Sequence, residues 1–444
     1  MSKRIVIIGL LMFVLTAANA QKRLNYIETD KKSYQLFTEK KWDELIQFST
    51  EARKQGIDFF YLQVRTGIAL YNQEKYRKAS SFFLKAWEND KSFEWLQEYV
   101  YYSLIYSGRG IEASSNSLYY SRALKKKIGF INHGITRLAY EGGYSTNAFY
   151  GDLSTRSFAE ELNIGSDYGE GYFLKDYSFH AIDLSHRVTQ NLSINHNFTF
   201  INLNRQAFVD WGEQSNYPIK INQYQYFINP VWLIGKKINV STSLNLIFGK
   251  YDIYAGTLNN NLEAYFYLAQ QSYFDFAFSN AIWANVGNFA PGIEINAGKI
   301  SGSLFTQLST WFTVYPFSNT KLYLTPRIYF NSNESFSAFN FMAIGISGGA
   351  QLGPIHLYAQ YVEGDLKNFI ESNGYVVYNF PGKLNRKISG SIFFPIGKKY
   401  HFVIRYINQS TTENYQVYTD GINTNTVEFN NFNHTITGGI SWNI

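Results

Sequence analysis

The sequence predicts an α + β membrane protein: helical repeats first, then an antiparallel transmembrane β-barrel of about 14 strands, with about 12 as the rival count. Three observations predict it. Between positions 34 and 124 apolar residues recur at helical spacing, with a longer period of 34. From 130 to 444 the spacing changes to two, in segments of about ten residues, long enough to cross a bilayer at a tilt. The 444 residues carry 18% aromatic but only 17% charged side chains, against roughly 25% charged in an average soluble domain.

The chain opens with an address. Lys3 and Arg4 precede an apolar stretch, Ile5 to Ala17, and Ala18-Asn19-Ala20 has the small-x-small form that signal peptidase cuts. Residues 1–20 are therefore expected to be a signal peptide, 21–127 a periplasmic helical domain and 128–444 the barrel. There is no cysteine, which excludes a disulfide framework, thiolate chemistry and a lipoprotein anchor. The net charge of +6 is spread out, so no nucleic-acid surface is expected.

In the helical part Leu36, Leu70 and Leu104 are spaced by 34, and Trp42 pairs in the same way with Tyr76. Ala79 aligns with Ala113, and Ala52 with Ala86. Small residues let paired helices approach closely while large ones such as Phe83 fill between pairs. Gly67, Tyr76, Ala79, Phe83 and Ala86 in one period resemble the tetratricopeptide repeat, without its proline. The resemblance implies a surface that holds a periplasmic protein partner.

After Lys125-Lys126-Lys127 the dyad begins. Ile238, Val240, Leu244, Leu246 and Phe248 alternate with Asn239, Ser241, Ser243 and Asn245. Tight turns at Thr189-Gln190, Gly235-Lys236, 316–319, Gly353-Pro354 and 395–398 alternate with longer connections at 148–175, 207–218, 252–270, 364–382 and 411–425. Short turns at one end and long loops at the other are the outer-membrane pattern. Trp232, Tyr251 and Tyr144 are expected in interfacial girdles. The stretch 281–304 interrupts the alternation, and the end Ile440-Ser441-Trp442-Asn443-Ile444 returns to it. The localisation expected is the outer membrane of a Gram-negative bacterium, in contact with its lipid.

With the apolar set facing lipid, the pore receives Asp183, Arg187, Gln223, Gln225, Asn229, Asp275, Gln307, Arg327, Gln360 and Arg405. This mixed, amide-rich set suits water and neutral hydroxylated solutes. The alternative is that Arg and Asp pair across the lumen and plug it. The acidic loop 148–175 matches no ordered calcium loop. The seven histidines show no metal-ligand spacing, and no catalytic set, metal site or cofactor fingerprint is present, so no enzyme activity and no cofactor are expected.

The order signal, helical repeats, barrel resembles that of YaiO-type proteins and exopolysaccharide-export porins. That resemblance implies assistance to the export or assembly of a surface polysaccharide. A passive or structural pore is the first alternative, and an envelope enzyme embedded in the barrel is the second.

Overall fold

The computed structural model describes residues 24–131, 133–161, 168–211, 213–258, 264–333, 339–379, 382–397, 399–419 and 423–444. The expected signal peptide lies outside the described residues. The chain divides into two compact units, the second beginning at Gly108.

Among its described residues the first unit holds five helices: α1 (Tyr26–Thr38), α2 (Trp42–Lys54), α3 (Phe60–Asn72), α4 (Tyr76–Asn89) and α5 (Glu94–Tyr106). Asn25 starts α1 by accepting the Glu28 N–H at 2.9 Å. Asp43 and Glu44 open α2 while Arg53 and Lys54 close it, as the helix dipole favours. Helix starts at 26, 60 and 94 recur every 34 residues, so the sequence period is a structural one. Leu36, Ala52, Leu70, Ala79, Phe83, Ala86 and Leu104 are all buried. Gly67 lies under Phe83, where an added Cβ would come within 2.6 Å of the ring. Trp42 packs beside Leu36, Leu45 and Ala69, and Tyr76 meets Tyr71 at 5.1 Å between ring centroids.

The second unit begins with α6 (Gly110–Asn116), a 3₁₀ turn and α7 (Arg122–Lys127). Ala113 is buried here, and its carbonyl accepts the Tyr120 hydroxyl at 3.1 Å. Glu112 pairs with Arg109 and accepts from Asn285 of the barrel unit at 3.0 Å. The compositional change at Lys127 thus comes later than the structural division, because these short helices are tied to the barrel.

Fourteen strands close an antiparallel barrel, with β1 (Gly134–Asn147) paired to β16 (Asn423–Asn443). The count is the one the dyad predicts. The wall is uneven: β2 (Tyr168–Thr189), β3 (Leu192–Trp211), β4 (Glu213–Ile234), β5 (Ile238–Leu258), β6 (Ala264–Ala284) and β15 (Tyr400–Thr419) are long. By contrast β7 (Phe289–Ile300), β8 (Ser303–Val314), β9 (Leu322–Asn333), β10 (Asn340–Leu352), β11 (Ile355–Gly364) and β14 (Lys383–Ile396) are short.

Three of the expected long loops are corrected. The stretches 207–218, 252–270 and 411–425 are mostly strand: β3–β4, β5–β6 and β15–β16 keep their ladders there, with Ala207, Phe208, Val209, Tyr415 and Val417 buried. Backbone pairing outlasts the hydrophobic alternation that reveals it. The doubtful stretch 281–304 holds β7, which turns into β8 through Ser301 and Gly302, both at positive φ.

The barrel is inside-out. Ile182, Phe198, Phe248, Phe274, Ile293, Ile344, Ile404 and Ile436 are exposed on its outer face. Asn239, Ser241, Ser243, Asn245, Asn296 and Ser309 are buried within. A wall that is apolar outside and polar inside is one that meets hydrocarbon, and closure leaves no strand edge unpaired in lipid. Tyr144 stands on the outer face, but Tyr251 shares the inward parity of Ile247 and packs at 6.0 Å from Tyr273. Tyr251 is therefore a lumen residue rather than part of a girdle.

Candidate functional site

The described part of the connection from β11 to β14 folds into the barrel. Within it β12 (Ile370–Glu371) and β13 (Val376–Val377) form a hairpin around Ser372, Asn373 and Gly374, all at positive φ. Short apolar runs flanking a Ser-Asn-Gly turn are a hairpin signal, and the dyad reading passed over it as a loop.

Apolar sockets hold the hairpin from below. Phe369 packs between Tyr329 at 4.8 Å and Tyr378 at 5.7 Å, among Leu366, Met342, Val362 and Leu384. Ile370 and Val377 pack on Ile247, Ala277, Ile300 and Phe305. These barrel residues sit where a polar lumen was expected. They are apolar because the hairpin covers them.

Polar contacts fix its position. Gln307 is fully buried; its amide nitrogen donates to the Ile370 carbonyl at 2.8 Å and its oxygen accepts the Ile370 N–H at 3.1 Å. The buried Glu371 accepts from Lys387 at 2.6 Å, Tyr378 at 2.7 Å and Gln360 at 2.8 Å. Burial first, then Glu371 itself, pushes the Tyr378 phenol well above its ordinary pKa, so it stays a neutral donor. At the tip, Ser243 donates to the Asn373 carbonyl, and Asn245 to that of Gly374 at 3.0 Å. Tyr375 reaches Asp183 at 3.3 Å and accepts from Asn197 at 3.1 Å. Asn379 donates to Gln223 at 2.8 Å. Gln223 also accepts from Tyr273 at 2.5 Å, whose ring lies over the bare Cα of Gly249.

The hairpin leaves a crescent-shaped cavity of about 740 Å³ on the opposite side. Strands β1 to β4, β11 and β14 to β16 line it, with Tyr273 and the hairpin. Among the described residues, β5 and β7 to β10 contribute none of its lining. At the long-loop end β14 accompanies β15 only to Thr412. Beyond it β15 pairs instead with β2, from Tyr415↔Gly171 to Tyr418↔Tyr168. Glu413 secures this crossing, accepting from Arg205 at 2.7 Å and Asn431 at 3.0 Å. The loop after β1 is no open acidic segment: α8 (Tyr150–Thr155) and α9 (Phe158–Glu161) pack there, with Phe158 stacked 4.6 Å from Tyr415. Asp167 of that loop lies outside the described residues.

The ten pore candidates part into three groups. Asp183, Gln223, Gln225, Asn229, Gln360 and Arg405 line the cavity, with Arg405 paired to Glu141 at 2.9 Å. Asp275, Gln307 and Arg327 point inward but lie away from the cavity. Asp275 accepts the Ser301 N–H at 3.0 Å, and Arg327 pairs with Glu294 at 2.9 Å over the Trp311 ring. Arg187 does not line the cavity; it sits at the short-turn end, bonded to the Ile131 carbonyl at 2.5 Å and stacked on Phe130. These ion pairs join Arg to Glu on strands two apart along the wall, not Arg to Asp across the lumen, and the hairpin occupies part of the interior. His196 and His434 are on the outer parity, each beside a tyrosine hydroxyl: Tyr226 at 2.9 Å and Tyr406 at 2.6 Å. Among the described residues no group of three or more His, Asp and Glu side chains is placed to hold a metal ion.

No family model matches the chain, and no curated protein sequence matches it. Among solved structures it is similar to a Pseudomonas aeruginosa FadL homologue, at 6% identity and a TM-score of 0.44, covering 69% of this chain and 90% of that one. The P. putida toluene transporter TodX gives 9% identity and 0.44, covering 69% and 90%. The Acinetobacter baumannii outer membrane protein Omp33 gives 7% and 0.31, covering 70% and 99%. Similarity of this size carries nothing about what passes through the barrel.

Proposed function

We propose that the protein is an outer-membrane channel for small solutes, held narrow by the hairpin 366–379. The observation that carries this reading is the hairpin seated in a closed, inside-out barrel beside a lined cavity. A polymer needs a wide and continuous path. Hairpin and β15–β2 crossing together favour a solute pore over polysaccharide export. The short connections then face the periplasm, as do the helices before the barrel, and the 34-residue helix pairs serve as a docking surface for a periplasmic protein.

The test is conductance in planar bilayers. Replacing 367–379 by a short Gly-Ser linker is expected to raise single-channel conductance several-fold. A second variant locks the hairpin instead. A Cβ on Gly374 would lie 3.8 Å from the Ser243 Cβ, the typical separation across a disulfide, at the cost of strain from its φ of +83° and a 3.2 Å approach to Ser279 Cβ. In this cysteine-free chain, oxidised Ser243→Cys/Gly374→Cys is expected to hold the low-conductance state and reduction to release it. Equal conductance in wild type and hairpin deletion would overturn the reading.

A further inference from the structure

One side of the crescent is an apolar shelf. Tyr177, Leu203 and Ile221 are direct cross-strand neighbours on β2, β3 and β4, and Phe179 faces Ile201 in the next row. All five line the cavity and are only half-buried. A water-filled passage gives no reason for apolar side chains here, since wetting them is unfavourable. They are not sockets for the hairpin, whose apolar residues seat on Ile247, Ala277, Phe305 and Tyr329.

The other side is polar, and its charges are paired except at Arg137, which also lines the cavity and is balanced by the nearby charge of Asp183. Gln360, Lys387, Ser389 and Arg405 line it. Lys387 is paired with Glu371, Arg405 with Glu141 and Arg205 with Glu413. Asp183 is held by Asn197 and Tyr375. At Lys387, Arg405 and Arg205 an ionic ligand would have to displace an existing pair, and at Arg137 an anion would have to sit beside the Asp183 carboxylate. A volume of about 740 Å³ falls within the range of small-molecule sites.

We propose that the crescent is a binding site for a neutral amphipathic solute, one flat apolar face on the Phe179–Ile201–Leu203 shelf and hydroxyl groups toward Gln360 and Ser389. The proposal rests on the channel reading for how a solute reaches the site, but binding is measured without flux. The full chain in lipid nanodiscs is titrated calorimetrically with phenyl β-D-glucopyranoside, methyl β-D-glucopyranoside and benzoate. The phenyl glucoside is expected to bind at least about tenfold more tightly than either of the others. Ile201→Asn is expected to weaken it by about tenfold while the heat-modifiable band of the folded barrel is retained. If Ile201→Asn does not assemble, Ile201→Ala decides, with a smaller loss expected in the same direction. Equal affinity for methyl and phenyl glucosides, tighter binding of benzoate, or no binding overturns the proposal. None of those outcomes touches the conductance result. Phenyl glucoside binding in a protein whose conductance ignores the hairpin would instead remove the channel reading alone.

Discussion

Gln307 grips Ile370 by both halves of its peptide backbone, donating to the carbonyl at 2.8 Å and accepting from the N–H at 3.1 Å. A side chain of β8 thereby supplies what a neighbouring strand would give to β12. Gln307→Ala leaves two buried backbone groups unpaired, at about 1–3 kcal/mol each if the hairpin stays. The hairpin is expected to leave its seat more often. Single-channel recording should show a higher open probability, and trypsin should cut faster after Lys367, with the barrel itself intact. An unchanged open probability would mean that the apolar sockets alone hold the hairpin.

Glu371 gathers three donors in a buried setting, and Lys387 is the charged one. Lys387→Met strands a buried carboxylate, a change that typically costs about 3–5 kcal/mol. Lys387→Met/Glu371→Gln removes the charge as well and is expected to recover much of the loss. The readout is the oxidation yield of the Ser243→Cys/Gly374→Cys pair: low in the single variant, restored in the double. Equal yields in both would place the pair outside the energetics of seating.

Leu244 and Ser243 are neighbours on opposite faces of β5. Leu244 pairs with Ile228 and Phe278 on the lipid side, while Ser243 is buried under the hairpin tip. Leu244→Arg is expected to cost about 2–4 kcal/mol near mid-bilayer, seen as less heat-modifiable protein. Ser243→Arg should spare assembly and push the hairpin out, raising conductance. Matching assembly defects would contradict the register.

Much of this wall was legible because its side-chain period is two and one face is lipid. The faces of β5 followed from the alternation of Ile238 to Phe248, and the strand count from the alternating segments. What stayed hidden was the second use of inward positions. Ile247, Phe305 and Tyr329 look like breaks in a polar lumen until Phe369 and Ile370 are placed against them. Ile201 and Leu203 carry apolar residues on the parity assigned to water, and that was the available signal of a shelf. The ends of β3 and β15 were hidden for another reason: consecutive residues such as Ala207, Phe208 and Val209 are all buried there, so the ladder persists without a period of two. Arg187 was placed by parity in the lumen, yet parity says nothing of height, and its strand end meets Phe130 instead.

Gly67 and Phe83 set the distance between α3 and α4. A Cβ at Gly67 would stand 2.6 Å from Phe83 Cε1, so the ring must move or the helices part. Gly67→Ala is expected to destabilise the helical unit by about 1–3 kcal/mol, outweighing the better helix propensity of alanine. Gly67→Ala/Phe83→Leu should recover part of this. Melting is followed at 222 nm in the intact protein, where the helices report separately from the barrel. A rise in melting temperature for Gly67→Ala would show that the ring yields freely.

Each helix pair turns on one residue at positive φ: Lys40 at 55° and Glu74 at 57°, with Gly108 at 75° one period on. The bonding repeats as well. Lys41 N–H reaches the Leu36 carbonyl and Lys75 N–H that of Leu70, both at 2.9 Å, while Lys40 and Glu74 bond to Phe37 and Tyr71. This is a Schellman cap, whose left-handed position favours glycine. A Cβ there costs about 1–2 kcal/mol, whereas glycine loses more backbone entropy on folding, by roughly 0.5–1 kcal/mol. The first exceeds the second, so Glu74→Gly should stabilise the helical unit by roughly 0.5–1 kcal/mol. Glu74→Ala keeps the Cβ and removes the carboxylate with its contacts, so the excess of the glycine variant over the alanine variant measures the backbone effect. A gain from alanine equal to that from glycine would assign the effect to charge rather than to the backbone.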